Sequence, residues 1–233
     1  MFKFFKTKDK SNLLLATDLF KATICGYLPT TRKAINFIKK SNNKKEIADK
    51  IISLCIGIET SKAYHYIASA YKLKGTKFRL KVIEFLNKFL QNPIFDDFDR
   101  HYFIQQFHDI TARQIELSSV YENLGSAYDG EYDFKSALFY YAKSNEINPY
   151  DTSIYCHLAK VYSKLNDLNK SISILKETTY SSYYTVLKWK NIKGDNCTDN
   201  TFSTVIDNQL KYYEGKKDRG YIYKPLKYKK ASK

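Results

Sequence analysis

Tyr121, Leu124, Gly125 and Tyr128 recur 34 residues further on as Tyr155, Leu158, Ala159 and Tyr162, and the same offset relates Ala137 and Tyr141 to Ser171 and Leu175. This fixed period constrains the fold more than any other feature of the chain. Within each set the anchors stand three or four residues apart, so they share one face of a helix. In each unit a turn separates a first helix from a second, at Gly130 in one and at Asn166–Asp167 in the other. A single helix pair cannot bury its apolar face, whereas stacked copies can. The period predicts an all-α chain in which helical hairpins pack side by side as a solenoid. The last hairpin then needs a terminal helix to cover it.

The rest of the chain agrees with helices. Among 233 residues there are only 8 Gly and 4 Pro, too few for a many-turned β fold. A hydrophobic fraction of 43% excludes a disordered chain. Five helices are expected in the first 93 residues: from Ser11 to about Tyr27, from a cap at Thr30 or Thr31 to about Lys40, from about Lys44 to Ile58, from Thr60 or Ser61 to Gly75, and from Thr76 to Asn92. Asp96, Asp97 and Asp99 suit the first turn of a helix that carries His101 and His108. Ile110 to Tyr128 reads as a long helix entering the first repeat. Phe202, Val205, Ile206, Leu210 and Tyr213 form a stripe on a terminal helix. The expected organisation is a basic end (1–10), a helical region (11–117), the tandem repeat (118–184), a linker with a capping helix (185–214), and a basic tail rich in Tyr and Lys (215–233).

At its repeat the chain resembles tetratricopeptide repeat proteins. That family places an aromatic, then Leu-Gly, then Tyr on its first helix, and Ala and an aromatic on its second, with Pro beyond. Tyr121, Leu124, Gly125, Tyr128, Ala137, Tyr141 and Pro149 meet this pattern. Ser144 stands where a small Ala is usual, and the second copy has Ser171, Leu175 and no final Pro. Tyr64, Ile67, Ala68 and Tyr71, followed by Phe85 and Pro93, read as an upstream copy with a one-residue insertion. The resemblance implies a right-handed solenoid and a non-enzymatic module that binds a peptide or protein segment in a concave groove. The groove residues it implies are Glu122, Asn123, Ser126, Asp129, Ser153, Cys156, His157 and Lys160. With Glu122 and Asp129 set against Lys160 alone, a basic or polar segment is the expected occupant.

Residues 1–93 hold 19 Lys and Arg against 6 acids, residues 94–187 hold 8 against 13, and residues 188–233 hold 12 against 5. Basic flanks around an acidic centre suit an anionic partner. AT-rich codons, which favour Lys, Asn, Ile and Tyr, would produce the same excess without one. The second functional reading is a nucleic-acid-associated regulator that uses Lys216, Lys217, Arg219, Lys229 and Lys230. Lys44 to Ile51 resembles the first helix of a helix-turn-helix DNA reader, but the turn glycine is missing and the next helix comes too late.

Nothing in the chain points to catalysis, a metal or a cofactor. Cys25, Cys55, Cys156 and Cys197 form no C-x-x-C pair. His101 and His108 are two helical turns apart, about 10 Å, too far to share one metal. Cys156 and His157 are adjacent and diverge by about 100° on a helix, so they do not converge as nucleophile and base. The apolar run Leu13–Ala16 is too short for a signal core or a membrane span, which leads to the expectation of a cytoplasmic protein.

Overall fold

The computed structural model describes residues 7–24, 29–41, 43–91, 106–107, 110–178 and 199–223. They belong to two compact units, residues 1–103 and 104–233. The helix expected around His101 and His108 lies mostly outside the described residues, but Gln106–Phe107, the part that is described, is a strand and corrects it; the tail from Lys224 onward lies outside them.

The first unit contains α1 (Thr7–Ile24), α2 (Arg32–Lys40), α3 (Lys44–Cys55), α4 (Ser61–Lys74) and α5 (Arg79–Gln91). Side-chain caps set three of the starts. Thr31 accepts from the Ala34 N–H, Asn43 from those of Lys45 and Glu46, and Thr60 from that of Ala63. Gly75, at φ 114°, ends α4 as expected. α3 stops earlier than expected, at Cys55, where Gly57 turns the chain at φ 84°. The core is lined by Leu19, Phe20, Ile51, Tyr66, Ile67, Leu86 and Phe89. Phe20 stacks on Tyr66, with ring centroids 4.4 Å apart.

A buried carboxylate joins α1 to α2. Asp18 is 5% exposed. It accepts from the backbone N–H and hydroxyl of Thr30 (2.8 and 3.2 Å) and of Thr31 (both 2.6 Å). Burial works against the Asp18 charge, but these hydrogen bonds together hold its carboxyl below the usual carboxylate range.

The second unit begins with a short antiparallel ladder, Gln106–Phe107 against Ile110–Thr111. Extended backbone here corrects the expectation of a helix from Ile110. Thr111 stays extended because it is the N-cap of α6 (Ala112–Gly130), in a capping box with Gln114. Then come α7 (Phe134–Ile147), α8 (Thr152–Lys164), α9 (Leu168–Lys176) and α10 (Asp199–Asp218). Apart from the ladder, every regular element among the described residues is helical.

The 34-residue period extends to the turns. Asp133 caps α7 and Asp167 caps α9, each accepting an N–H three residues on, at 3.0 and 2.9 Å. Just before each cap stands a left-handed residue, Tyr132 at φ 64° and Asn166 at φ 65°. Gly130, expected to break the chain, is instead the last residue of α6, and Tyr132 carries the unusual conformation.

Packing within the first repeat depends on one close approach. A Cβ built on Gly125 would lie 2.7–2.9 Å from three atoms of the Tyr141 ring, so only glycine lets α6 and α7 meet here. Tyr141 is 1% exposed. Ser118 and Ser144, both buried, stitch the same two helices together. Their hydroxyls lie 2.9 Å apart and each also reaches the other's carbonyl. In the second repeat Ser171 donates to the Ala159 carbonyl at 2.8 Å, which explains a serine where alanine is usual.

α4 and α5 repeat one part of this arrangement. Tyr121 and Tyr128 clamp Tyr140, with centroids at 6.1 and 5.3 Å. Tyr64 and Tyr71 clamp Phe85 in the same way, at 6.3 and 5.9 Å. Phe85 thus stands for Tyr140 and not for Tyr141. The insertion is two residues and not one, and the extra length lies around a 3-10 turn at Thr76–Phe78.

α10 closes the second unit. Tyr213, Ile206 and Leu210 pack against Leu168, Ile172 and Leu175 of α9 and Ala159 of α8. Lys176 pairs with Glu214 at 3.6 Å. The helix runs on to Asp218, so the basic tail expected from residue 215 begins inside it. Gly220, at φ 61°, ends the helix, with N–H groups of residues 220 and 221 returning to the Lys217 and Lys216 carbonyls.

Candidate polar groove on α6 and α8

α6 and α8 are the first helices of the two repeats and stand side by side. Of the eight residues expected in a groove, Glu122, Ser126, Asp129, Ser153, His157 and Lys160 are drawn into polar contacts between elements of this unit. Glu122 on α6 faces Ser153 and His157 on α8. The Ser153 hydroxyl lies 3.1 Å from Glu122 Oε1 and 2.5 Å from Asp151 Oδ1, and its one proton goes to one or the other. His157 Nε2 is 3.4 Å from Glu122 Oε1. The imidazole also stacks on the Tyr141 ring, 5.0 Å away and 9° from parallel. Tyr141 in turn shares a hydrogen bond with Ser126. Burial, with Asp129 and Glu122 nearby, pushes the Tyr141 phenol well above its ordinary value, so it stays neutral.

Two helical turns along α6, Asp129 meets two lysines. Lys160 Nζ is 3.2 Å from one oxygen, and Lys164 Nζ pairs with the other. The acids are the inner members of these clusters. Glu122 and Asp129 are 17% and 8% exposed, against 35% for His157 and 54% for Lys160. Asp129 is therefore matched by two cations, which corrects the expected excess of acid. Lys160 and Lys164 stand four apart and share a helix face, a spacing that could have revealed the second cation from sequence.

Asn123 is half-buried on α6. Cys156 is half-buried too and packs against the cluster that α10 covers, so it does not line an open surface. Burial, with a lesser contribution from Asp151, pushes its thiol up to about 11. A thiol held protonated at neutral pH is no nucleophile, and its neighbour His157 points to Glu122 and Tyr141. Tyr141 and Lys164 are the members of the site that pattern reading missed. Tyr141 reads as a packing anchor, and it is one, but its ring also supports His157.

The chain beyond α10 returns to this end of the unit. The Tyr223 N–H donates to Asn166 Oδ1, and the Tyr223 ring lies 6.1 Å from Phe134, edge to face. Among the basic residues of the second reading, Lys216 Nζ sits 4.4 Å from the Tyr212 ring and 4.1 Å from that of Tyr221. It is thus engaged within the chain. Lys217 and Arg219 are exposed, while Lys229 and Lys230 lie outside the described residues. Among the described residues no three His, Cys, Asp or Glu side chains converge as metal ligands, and no helix is long and apolar enough to cross a membrane.

Residues 118–151 and 152–180 each match the family model of the tetratricopeptide repeat. No curated protein matches the chain. Among solved structures, a crystal structure of MamA is similar, with a TM-score of 0.48 at 15% identity, over 82% of this chain and 99% of that one. A crystal structure of YrrB, described as a TPR protein with an unusual peptide-binding site, gives 0.42 at 13%, over 78% and 84%.

Proposed function

We propose that this protein, which carries two tetratricopeptide repeats at residues 118–180, is a non-enzymatic interaction module whose α6–α8 face holds a segment of a partner chain. One observation carries the reading. Polar and charged side chains of two adjacent repeats converge there, through Glu122, Ser153 and His157 at one level and Asp129, Lys160 and Lys164 at the next. A purely structural face has no need of such groups, because helix packing in this unit is already served by Gly125, Ala137, Tyr141, Leu158 and Ala159. With its acids matched by cations, the face suits a polar segment of no strong net charge. Such a segment would be held by hydrogen bonds to Glu122, Ser153 and the outer His157 and Lys160.

The test is capture from a native extract with the full chain as bait. Glu122→Lys and Lys160→Glu should each reduce recovery of co-purifying protein at least fivefold while leaving the thermal melt within about 2 °C. Undiminished capture by both variants would remove these residues from the binding face.

A further inference from the structure

We propose that the outer stripe of α2 and the start of α3 form a second binding surface, one that holds the phosphate backbone of duplex nucleic acid without reading its sequence. Between Asp18 and Glu46 the chain holds seven Lys and Arg and no acid. Six of these seven, Arg32, Lys33, Lys39, Lys40, Lys44 and Lys45, are exposed. None of the six forms an ion pair among the described residues, whereas many lysines elsewhere do.

Their placement is ordered. Arg32, Lys33, Asn36, Lys39 and Lys40 fall at i, i+1, i+4, i+7 and i+8, so they share one side of α2. All five are exposed, while Ala34 is buried and Ile35, Phe37 and Ile38 are half-buried on the other side. The two ends of the stripe, Arg32 and Lys40, are about 12 Å apart at 1.5 Å per residue. Lys44 and Lys45 open α3 a few residues further on, which extends the array. Its anchor is Asp18, whose oxygens are taken up by Thr30 and Thr31 at the head of α2. That carboxylate fixes the helix and does not neutralise the stripe.

The same geometry chooses between anionic partners. A helix that enters a bilayer surface needs an apolar face free to insert. The apolar side of α2 is turned into the protein, and its outer side offers only cations and Asn36. Phosphates need no more than that, since backbone contacts come from Lys, Arg and Asn. The stripe carries no aromatic on which an unpaired base could stack, which favours duplex over single strand.

The test is fluorescence anisotropy of the full chain with a labelled 20-base-pair DNA duplex of arbitrary sequence. Binding should fall in the micromolar range at low salt and weaken steeply as salt rises. Neutralising Arg32, Lys33, Lys39 and Lys40 to Gln should weaken it at least tenfold. It should also flatten the slope of log K against log salt by up to about 3.6, at about 0.9 for each of the four phosphates no longer neutralised. These side chains are exposed, so the melt of the variant should match that of the wild type. The proposal is overturned if the four-residue variant binds like the wild type. It also fails if only Lys217→Gln with Arg219→Gln abolishes binding, or if phosphatidylserine vesicles are bound and the duplex is not.

Discussion

Replacing Gly125 by Ala should destabilise the second unit, and the sign should reverse once Tyr141 is made smaller. The added Cβ would lie 2.7, 2.8 and 2.9 Å from three Tyr141 ring atoms, well inside ordinary van der Waals contact. The ring has little room to yield. It is 1% exposed, stacked on His157 and hydrogen-bonded to Ser126. Overpacking of this kind costs about 1–3 kcal/mol. Against it, Ala in a helix interior is favoured over Gly by about 1 kcal/mol. The expected net loss is about 1 kcal/mol, or about 2–4 °C in melting temperature for a chain of this size. The second repeat already contains the alternative solution, Ala159 facing the smaller Leu175, both buried in one cluster. In a Tyr141→Leu background, therefore, Gly125→Ala should stabilise by up to about 1 kcal/mol. The coupling between the two sites should then be on the order of 2 kcal/mol, read from urea unfolding of all four proteins in a double-mutant cycle. Equal cost of Gly125→Ala in both backgrounds would show that the glycine serves some purpose other than admitting the Tyr141 ring.

Two further outcomes follow from single residues. Asp18→Asn should cost about 1–3 kcal/mol at neutral pH, because four donors are deprived of a charged acceptor. Since the folded carboxyl lies below its unfolded value, this contribution is complete above about pH 4 and disappears as pH falls through the lower folded value. Urea midpoints of wild type and variant should accordingly converge in acid, and a constant gap down to about pH 2 would contradict the account. Tyr132→Asn should raise the melting temperature by a few degrees, since Asn adopts a φ of 64° more readily and already adopts a similar one at Asn166. Part of that gain, about 0.5 kcal/mol, is offset because Asn cannot reproduce the edge-to-face packing of Tyr132 on Phe134.

How much of this was legible beforehand can be judged from particular residues. The helix pairs at 118–180, the cap at Asp133 and the stop at Gly75 all follow from local chemistry. Capping and periodicity depend on neighbours within a few residues, and those neighbours are written in order along the chain. The ends of helices were less legible. Gly130 looks like a stop and is helical, while Tyr132 and Gly220 adopt the left-handed turns. A glycine permits such a turn without compelling it.

The architecture of the repeats is written in the chain, because a 34-residue recurrence of Leu, Gly or Ala, and Tyr admits few packings other than stacked hairpins. What the polar residues between those anchors do depends on how the helices pack. Asp129 lies in α6, while Lys160 and Lys164, which neutralise it, lie 31 and 35 residues away on α8. His157 rests on a ring from a third helix, and Cys156, its immediate neighbour, is turned toward α10. Charge is summed over space and not along the chain. The acidic excess counted in order therefore became a face of matched charges once the two repeats stood side by side, while the cations of α2 stayed unmatched because no acid folds back to them among the described residues.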